Sequence, residues 1–348
     1  MSRPEPVYHL ALRELHAANG AVFNVAAGWT VPMRYGDPAA ELVALRRHAA
    51  VFDRSSRSRF LVSGTDALEV LKAVFAGHVE DLEEGRAMRT VALGPDGRID
   101  DVALIARTGG IAYLVSGEPA QRTETLARLR SAIRRDFDVR IDDRTETTCL
   151  IGLAGPEAGQ AANEHLSDAL PARLQALNCL AFEFHGFRGL AIRTSDTGED
   201  GFEFMLAPAV AQHLIETLRE AGIPLAGQEA LEVARVEACI PAFEPDLEGG
   251  LSPAEADLDA LLDVPGGAQG RILSALLFDG VGVPVTGTPL TAAGERVGEL
   301  RSCVRSLSLN ATIGLGIVES RHALPGRELW AGPDRAIVVA KPFHRRRT

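Results

Sequence analysis

Aromatic residues are scarce in this chain: Phe, Tyr and Trp make up 5% of its 348 residues. Aliphatic and small side chains must build most of the core, and an ordinary charged fraction of 24% fits a soluble globular protein. No apolar run approaches the roughly eighteen residues that span a bilayer, so no membrane partner is expected. Cys149, Cys179, Cys239 and Cys303 lie far apart with no CxxC or Cys/His ligand pair, and they read as reduced core thiols. HxxxH and HExxH spacings are missing among the nine histidines, so a metal site has no sequence support. GxGxxG, P-loop and GxSxG patterns are absent too, which argues against those modes of nucleotide binding and that kind of nucleophile. Positive charge is in deficit: 36 Lys and Arg against 47 Asp and Glu leave a formal charge of −11, which argues against a nucleic-acid partner. The opening MSRPEPVYHL has neither the apolar core of a signal peptide nor the basic pattern of a transit peptide, and a cytoplasmic protein is expected.

A chain of this length exceeds one ordinary core, and two or three domains are expected. Residues 4–20 and 38–49 carry helical spacing, the second through Leu42, Leu45 and Ala49. Between them, Gly28 to Tyr35 reads as an aromatic-rich loop in which Pro32 bars a helix. Phe60 to Gly64 predicts a strand, and Asp66 to Phe75 an amphipathic helix capped by Thr65 or Asp66. Strands near Thr90–Leu93, Val102–Ala106 and Ile111–Val115, then a helix over Glu118–Arg134, complete a first α+β unit. The order recurs after about residue 146. A strand at Thr148–Leu153 and a helix from Pro156 precede strands near Ala181–Phe184, Leu190–Arg193 and Phe202–Leu206. A helix from Pro208 to Ala221 follows, its proline suited to the first turn. Beyond Pro265, Gly, Val, Leu and Thr dominate between frequent turn signals, which predicts a small all-β barrel or sandwich, with Leu247 to Gly267 as the linker.

The stretch Thr197-Gly198-Glu199-Asp200-Gly201-Phe202-Glu203-Phe204 predicts a tight turn feeding an apolar strand. A carboxylate held on such a corner accepts two parallel hydrogen bonds from a flat N–H/NH2 edge, as on a pterin or guanine ring. Glu199 and Glu203 read equally as solvated turn charges. Glu203 is the better ligand candidate, because an unpaired carboxylate inside an apolar strand is costly. Asp100 and Asp101 follow the Pro95–Ile99 turn; adjacent on a strand, they point to opposite faces, so at most one meets a pocket. On sequence alone both read more readily as turn acids at a strand entrance. Ala234 to Glu237 reads as a helical, surface ion-paired stretch, although Arg235 and Glu237 do not face each other. Trp29 and Tyr35 suit either a core or a stacking platform.

Taken in order, these pieces resemble the glycine cleavage T-protein (aminomethyltransferase) superfamily, whose members bind tetrahydrofolate. Ala27–Tyr35 is similar to its early GW-x-x-P element, Glu41–Arg46 with Ala50–Ser55 to its E…R…FDvS run, and Gly97–Val102 to GG-x-x-DD-L. Thr197–Phe204 matches TGEDGFE almost letter for letter. Ala234–Pro241, Leu251–Ala256, Val297–Glu299, Ile313–Gly316 and Lys341–Phe343 follow in family order. The resemblance implies an α+β fold of three domains in a cloverleaf around a central hole that holds the folate. Residues 1–50 and 147–265 would form a discontinuous folate-binding domain, 51–146 an inserted α+β domain, and 266–348 a C-terminal β-barrel. It implies a transferase moving an aminomethyl, methylene or methyl group between folate and a small-molecule donor or acceptor, with a carrier protein as a further partner.

On the matching positions, Glu203 would accept from the pterin's 2-amino and N3 groups, Glu199 would shape the turn, and Arg235 would help anchor the cofactor. Tyr35 and Arg89 occupy further positions counted as cofactor-contacting. Asp101 would sit beside N5/N10 as the catalytic residue. Departures cluster on one wall: Arg89 stands where the family usually has Tyr, Leu114-Val115-Ser116-Gly117-Glu118 where it has vvNAaN, and Asp196 where a Tyr often precedes TGEDGFE. They put a lipoyl-arm reaction in question and point toward another one-carbon donor or acceptor. The YgfZ-like folate-binding proteins of iron–sulfur assembly are the alternative, favoured by the spelling of Pro95–Ile99 and Phe52–Ser55. Their KGCYxGQE motif is missing from Asp263 to Gly270. A repurposed member that no longer uses folate is the third reading.

Overall fold

Strands buried largely on both faces build two five-stranded sheets before the chain reaches its barrel. The computed structural model describes residues 7–167, 170, 174–258, 262 and 270–346. The expected 265/266 boundary and nearly all of the Asp263–Gly270 segment lie outside the described residues. Two compact units are formed: one from the chain up to Ala92, Asp101–Ser195 and Glu199–Ala230, the other from Leu93–Asp100, Asp196–Gly198 and Leu231 onward.

In the first unit one antiparallel sheet has the order Cys179–Phe184, Phe187–Ile192, Gly201–Leu206, Cys149–Ala154, Ala50–Asp53. Its period of two sorts the residues by face. Phe202, Phe204, Leu206, Cys149, Ile151, Leu153 and Val51 pack with the helices Ala158–His165 and Pro208–Glu220. The latter helix starts at a proline and lines up Val210, Ala211, Leu214, Ile215 and Leu218 on one buried stripe. Each large apolar side chain buried this way contributes about 1.5–3 kcal/mol. The opposite face carries the register row Phe52, Gly152, Glu203, Ile192, Cys179. That face meets the second sheet through Ala87, Leu104, Ala106, Leu114, Cys179 and Ile192.

The second sheet runs Ala87–Leu93, Ile99–Gly109, Ala112–Gly117, Ser58–Ser63, Arg140–Asp143. Its other face is covered by the helices Ala67–Val74 and Arg122–Ser131. Because Ala50–Asp53 pairs with Cys149–Ala154, the chain crosses between the sheets at residues 54–57 and 144–148, a few residues later than the expected 50/51 division.

One fully buried arginine ties the two crossings together. The Arg59 Nε donates to Thr148 Oγ1 at 3.0 Å; its other four N–H groups reach the carbonyls of Ser55, Arg57, Thr145 and Thr148. Burial pulls this guanidinium down to about 10, still charged at neutral pH. All five donors are satisfied without a carboxylate ligand, because the crossings turn their carbonyls inward.

Several local expectations give way to tertiary context. The segment from Trp29 to Arg34 is a strand rather than a loop, central in a small sheet between Tyr8–His9 and Val22–Ala26. Pro32 is tolerated because it opposes Phe23 at a bulge and lies beyond the two residues that pair with Tyr8–His9. That pairing also shortens the first helix to Arg13–Ala18. Asp66 makes no side-chain cap; its carboxylate accepts the Asp138 N–H at 2.9 Å. The long helix after Glu118 begins as a 3-10 turn, Pro119–Gln121, and is α-helical over Arg122–Ser131.

In the second unit the expected barrel is closed by six strands: Arg271–Phe278, Ala311–Glu319, Glu295–Ser306, Pro289–Ala292, Glu328–Ala331 and Asp334–Val339. Leu276, Leu290, Leu300, Val318, Leu329 and Val338 fill its interior, and closure leaves no free edge.

Replacing Arg59 by Met strands four inward carbonyls. It is expected to lower the stability of the first unit by about 3 kcal/mol or more, with Arg59→Lys restoring little because an ammonium cannot make the fork. Urea unfolding midpoints of the two variants against wild type check this.

Candidate functional site

The acidic corner begins where Gly198 takes a φ of 81°, a conformation that suits glycine, and leads into the strand Gly201–Leu206. Each of its three acids meets an arginine from a different place in the sequence. Arg46, on the helix Pro38–Arg47, lies 3.8 Å from Glu199, both side chains nearly enclosed. Arg193 grips Asp200 with two bonds, Nε to Oδ1 at 3.0 Å and an Nη to Oδ2 at 2.5 Å. Arg54 Nε lies 3.8 Å from a Glu203 oxygen. Glu203 is 7% exposed, so a corner that reads as exposed turn acids is in fact a mostly buried, charge-compensated cluster. Beside Glu203 in register lies Gly152, where a Cβ would stand 2.1 Å from the Phe52 ring. The Phe52 ring therefore lies over Gly152, the residue beside Glu203 in register.

Arg89 reaches this corner from the second sheet, donating to Thr194 Oγ1 at 2.9 Å and to the Ser195 carbonyl at 2.8 Å. The crossing turn 54–57 links the corner to Asp101. It holds Arg54 against Glu203 and Arg57 against Glu118 at 2.8 Å, and the Glu118 N–H donates to Asp101 Oδ1 at 3.0 Å. Asp101 Oδ2 accepts from Thr125 Oγ1 at 2.7 Å. Asp101 has 0% exposure, whereas its neighbour Asp100 is half-buried, as strand alternation requires. Burial pushes the Asp101 carboxyl up to about 7, against the Thr125 and Glu118 hydrogen bonds.

Tyr35 stands apart from this cluster. Its hydroxyl bonds to His16 Nδ1 at 2.7 Å, and His16 Nε2 bonds to Asp53 Oδ2 at 2.8 Å. Burial works against it, yet the His16 hydrogen bond holds the Asp53 carboxyl below the usual range. Asp53 shares its face with Ile151 and Phe204, so Tyr35 packs on the helix-covered side of the sheet, opposite Glu203. That parity sets Asp53 and the Tyr35 relay on the face opposite Glu203. Trp29 is core, stacked on Tyr8.

In the second unit the Ala234–Glu237 stretch is buried rather than a surface ion pair. Arg235 donates twice to Glu232, and to Asp246, the Ile240 carbonyl and Ser302 Oγ. Asp246, fully buried, also accepts from Ser302 and the Ala242 N–H. With all five N–H groups engaged there, Arg235 braces the helix Gln228–Glu237 against the barrel strand Glu295–Ser306, and this geometry does not support the cofactor anchor expected of it. Burial pushes the thiols of Cys149 and Cys179 up to about 12 and about 11, which makes both unreactive.

The family described as GCVT N-terminal domain matches residues 12–265, and that described as Glycine cleavage T-protein C-terminal barrel domain matches residues 271–344. The chain belongs to the glycine cleavage T-protein family. An aminomethyltransferase of Streptomyces avermitilis is 31% identical to it, with 97% of this chain and 98% of the relative covered. One from Rubrobacter xylanophilus is 33% identical, covering 97% and 94%. The crystal structure of glycine cleavage system aminomethyltransferase T from Bartonella henselae superposes with a TM-score of 0.88 over 97% of this chain and 98% of that one, at 23% identity. The T-protein fold is thereby shown.

Membership in the T-protein family does not by itself reveal the arginines that compensate the corner. Arg46 and Arg54 lie in segments whose resemblance was visible, but their acidic partners are about 150 residues away in sequence. Thr125 gave no local signal at all.

The Asp101 carboxyl ordinarily titrates at 3.8 and is pushed up to about 7 in the fold. Between those two values the folded state holds its proton longer, so the stability this group allows falls as pH rises and stays low above 7. Asp101→Asn is expected to match wild type near pH 4 and to exceed it above pH 7 by up to about 4 kcal/mol, at 1.36 kcal/mol per pH unit. Urea denaturation of both proteins from pH 4 to 8.5 measures the difference.

Proposed function

We propose that the protein is a tetrahydrofolate-dependent one-carbon transferase, moving an aminomethyl, methylene or methyl group between the folate and a small-molecule substrate. The observation that carries this reading is Glu203, a buried carboxylate on a rigid strand beside the Gly152 that the Phe52 ring covers, in a T-protein family chain whose relatives are named aminomethyltransferases.

The residues present fit a pterin. An ionised carboxylate has about four acceptor positions. Arg54, 3.8 Å away, sets a cation beside the Glu203 carboxylate. A flat N–H/NH2 edge could then be held by Glu203, with Phe52 alongside and Glu199 shaping the turn. Tetrahydrofolate, when bound, supplies the nitrogens that carry the one-carbon unit.

The protein's own part is orientation and proton control. The strand Gly201–Leu206 is central in its sheet, so the Glu203 side chain is aimed by a backbone that cannot drift. Burial pushes the Asp101 carboxyl up to about 7, so it exchanges a proton near neutral pH, the property a general acid or base needs. Arg89, in place of the usual Tyr, adds a guanidinium above the Thr194–Ser195 backbone, and the substrate differs accordingly from that of members with Tyr there.

Isothermal titration with tetrahydrofolate tests the seat. Wild type is expected to bind in the micromolar range and Glu203→Gln at least about tenfold more weakly, because a charge-assisted pair of bonds becomes a neutral one. No heat from folded wild type at high micromolar ligand would sink the folate reading.

A further inference from the structure

We propose that Thr125 is the positioning residue for Asp101: its hydroxyl fixes the carboxyl's orientation and governs the release of its proton. The inference rests on the reading of Asp101 as the proton-holding group of the transferase, and its observations come from the first unit alone.

Thr125 sits in the first turn of the helix Arg122–Ser131, 1% exposed, with its Oγ1 2.7 Å from Asp101 Oδ2. That is the normal length of a good O–H···O bond. Among the described residues the carboxyl has one other hydrogen-bond partner, the Glu118 N–H on Oδ1. The strand Ala112–Gly117 closes over it at Gly117, where a Cβ would lie 2.6 Å from Oδ2 and 3.0 Å from Ser58 Oγ. Ser58 itself accepts the Gly117 N–H. The carboxyl is therefore clamped at both oxygens and roofed by a residue without a side chain, with no room to swing.

A backbone N–H can only donate, so the Glu118 bond favours the ionised form alone. A hydroxyl can do both. With Asp101 ionised, Thr125 donates to Oδ2; with Oδ2 protonated, the same oxygen accepts. The charged groups around the pair are few. Arg57, on the crossing turn, favours the ionised form and Glu118 opposes it, while these two are bonded to each other. On the helix itself Arg122 is engaged with Asp143 and Glu146, and Glu124 with Arg128. Thr125 is thus the side chain through which Asp101's proton affinity is set. Remove its hydroxyl and Oδ2 loses the donor bonded to it here, so the carboxyl keeps its proton to higher pH.

The test is a carbon-13 NMR titration of the aspartate carboxyls in ligand-free protein from pH 4 to 9, with Asp101 assigned by its loss in Asp101→Asn. Thr125→Val is expected to raise the Asp101 midpoint by about one pH unit, the size of one hydrogen bond to a charged group, and Thr125→Ser to return it to wild type. Thr125→Ala serves the same purpose should the valine variant fail to fold. An unchanged midpoint in a folded variant lacking the hydroxyl overturns the inference. Folate titration of the wild type, alongside Thr125→Val, separates it from the reading beneath it, and the wild type's binding decides the folate seat. A raised midpoint in the variant, with a wild type that binds no tetrahydrofolate, upholds Thr125 and overturns the folate seat. A raised midpoint with unchanged folate affinity upholds both, because orientation of the proton and seating of the ring belong to different residues.

Discussion

The first unit depends on a buried guanidinium that has no acid. Arg59 makes every one of its bonds to the two segments where the chain passes between its sheets, four of the five to carbonyls. Carbonyls in such turns have lost their ladder partners, and a buried unpaired carbonyl is costly. An arginine is the side chain that can satisfy several of them at once from a single point. The consequence reaches the site directly. Ser55 and Arg57, held by Arg59, lie in the turn that aims Arg54 at Glu203 and Arg57 at Glu118 beside Asp101. A loosened crossing would release both charged contacts together.

Charge compensation explains why a protein with a formal excess of acid can bury so many carboxylates here. Each corner acid has its own arginine, and the three arginines arrive from the helix before the first sheet, from the crossing turn and from the strand end just upstream. Separate partners matter, because a buried carboxylate deprived of its cation would tend to protonate and lose its strength as an acceptor. Asp101 is the exception. Its nearest cation is spent on Glu118, so burial is left uncompensated and its proton affinity rises. The same environment that makes Glu203 a dependable acceptor thus leaves Asp101 a titrating group.

How much of this could be read from the sequence follows from the range of the interactions. The TGEDGFE corner and the barrel were legible because turn glycines and strand alternation are local properties. The strand through Pro32 was not, since its tolerance depends on a bulge opposite Phe23 and on where Tyr8–His9 stops pairing. Tyr35 read as either core or platform. Its placement was decided by the parity of Asp53 and by His16, contacts that no short window contains. Arg235 matched a family position, yet what it does here is set by Asp246 and Ser302, 11 and 67 residues on. Composition could not show that either arginine, Arg59 or Arg235, would be buried with its whole fork engaged.

At Gly117 the strand end packs directly on the Asp101 carboxyl. A larger side chain there would press on Oδ2 and on Ser58, so this backbone position takes a glycine and no larger residue without movement. Thr125, from the helix on the other side, is the hydroxyl that holds the carboxyl. The carboxyl is then clamped from within the second sheet and its covering helix, not from the rim of a pocket. Asp101 is as fully enclosed as the apolar residues around it, with 0% exposure. Arg57 ties that clamp to the acid corner, because it is bonded to Glu118 and its carbonyl is held by Arg59.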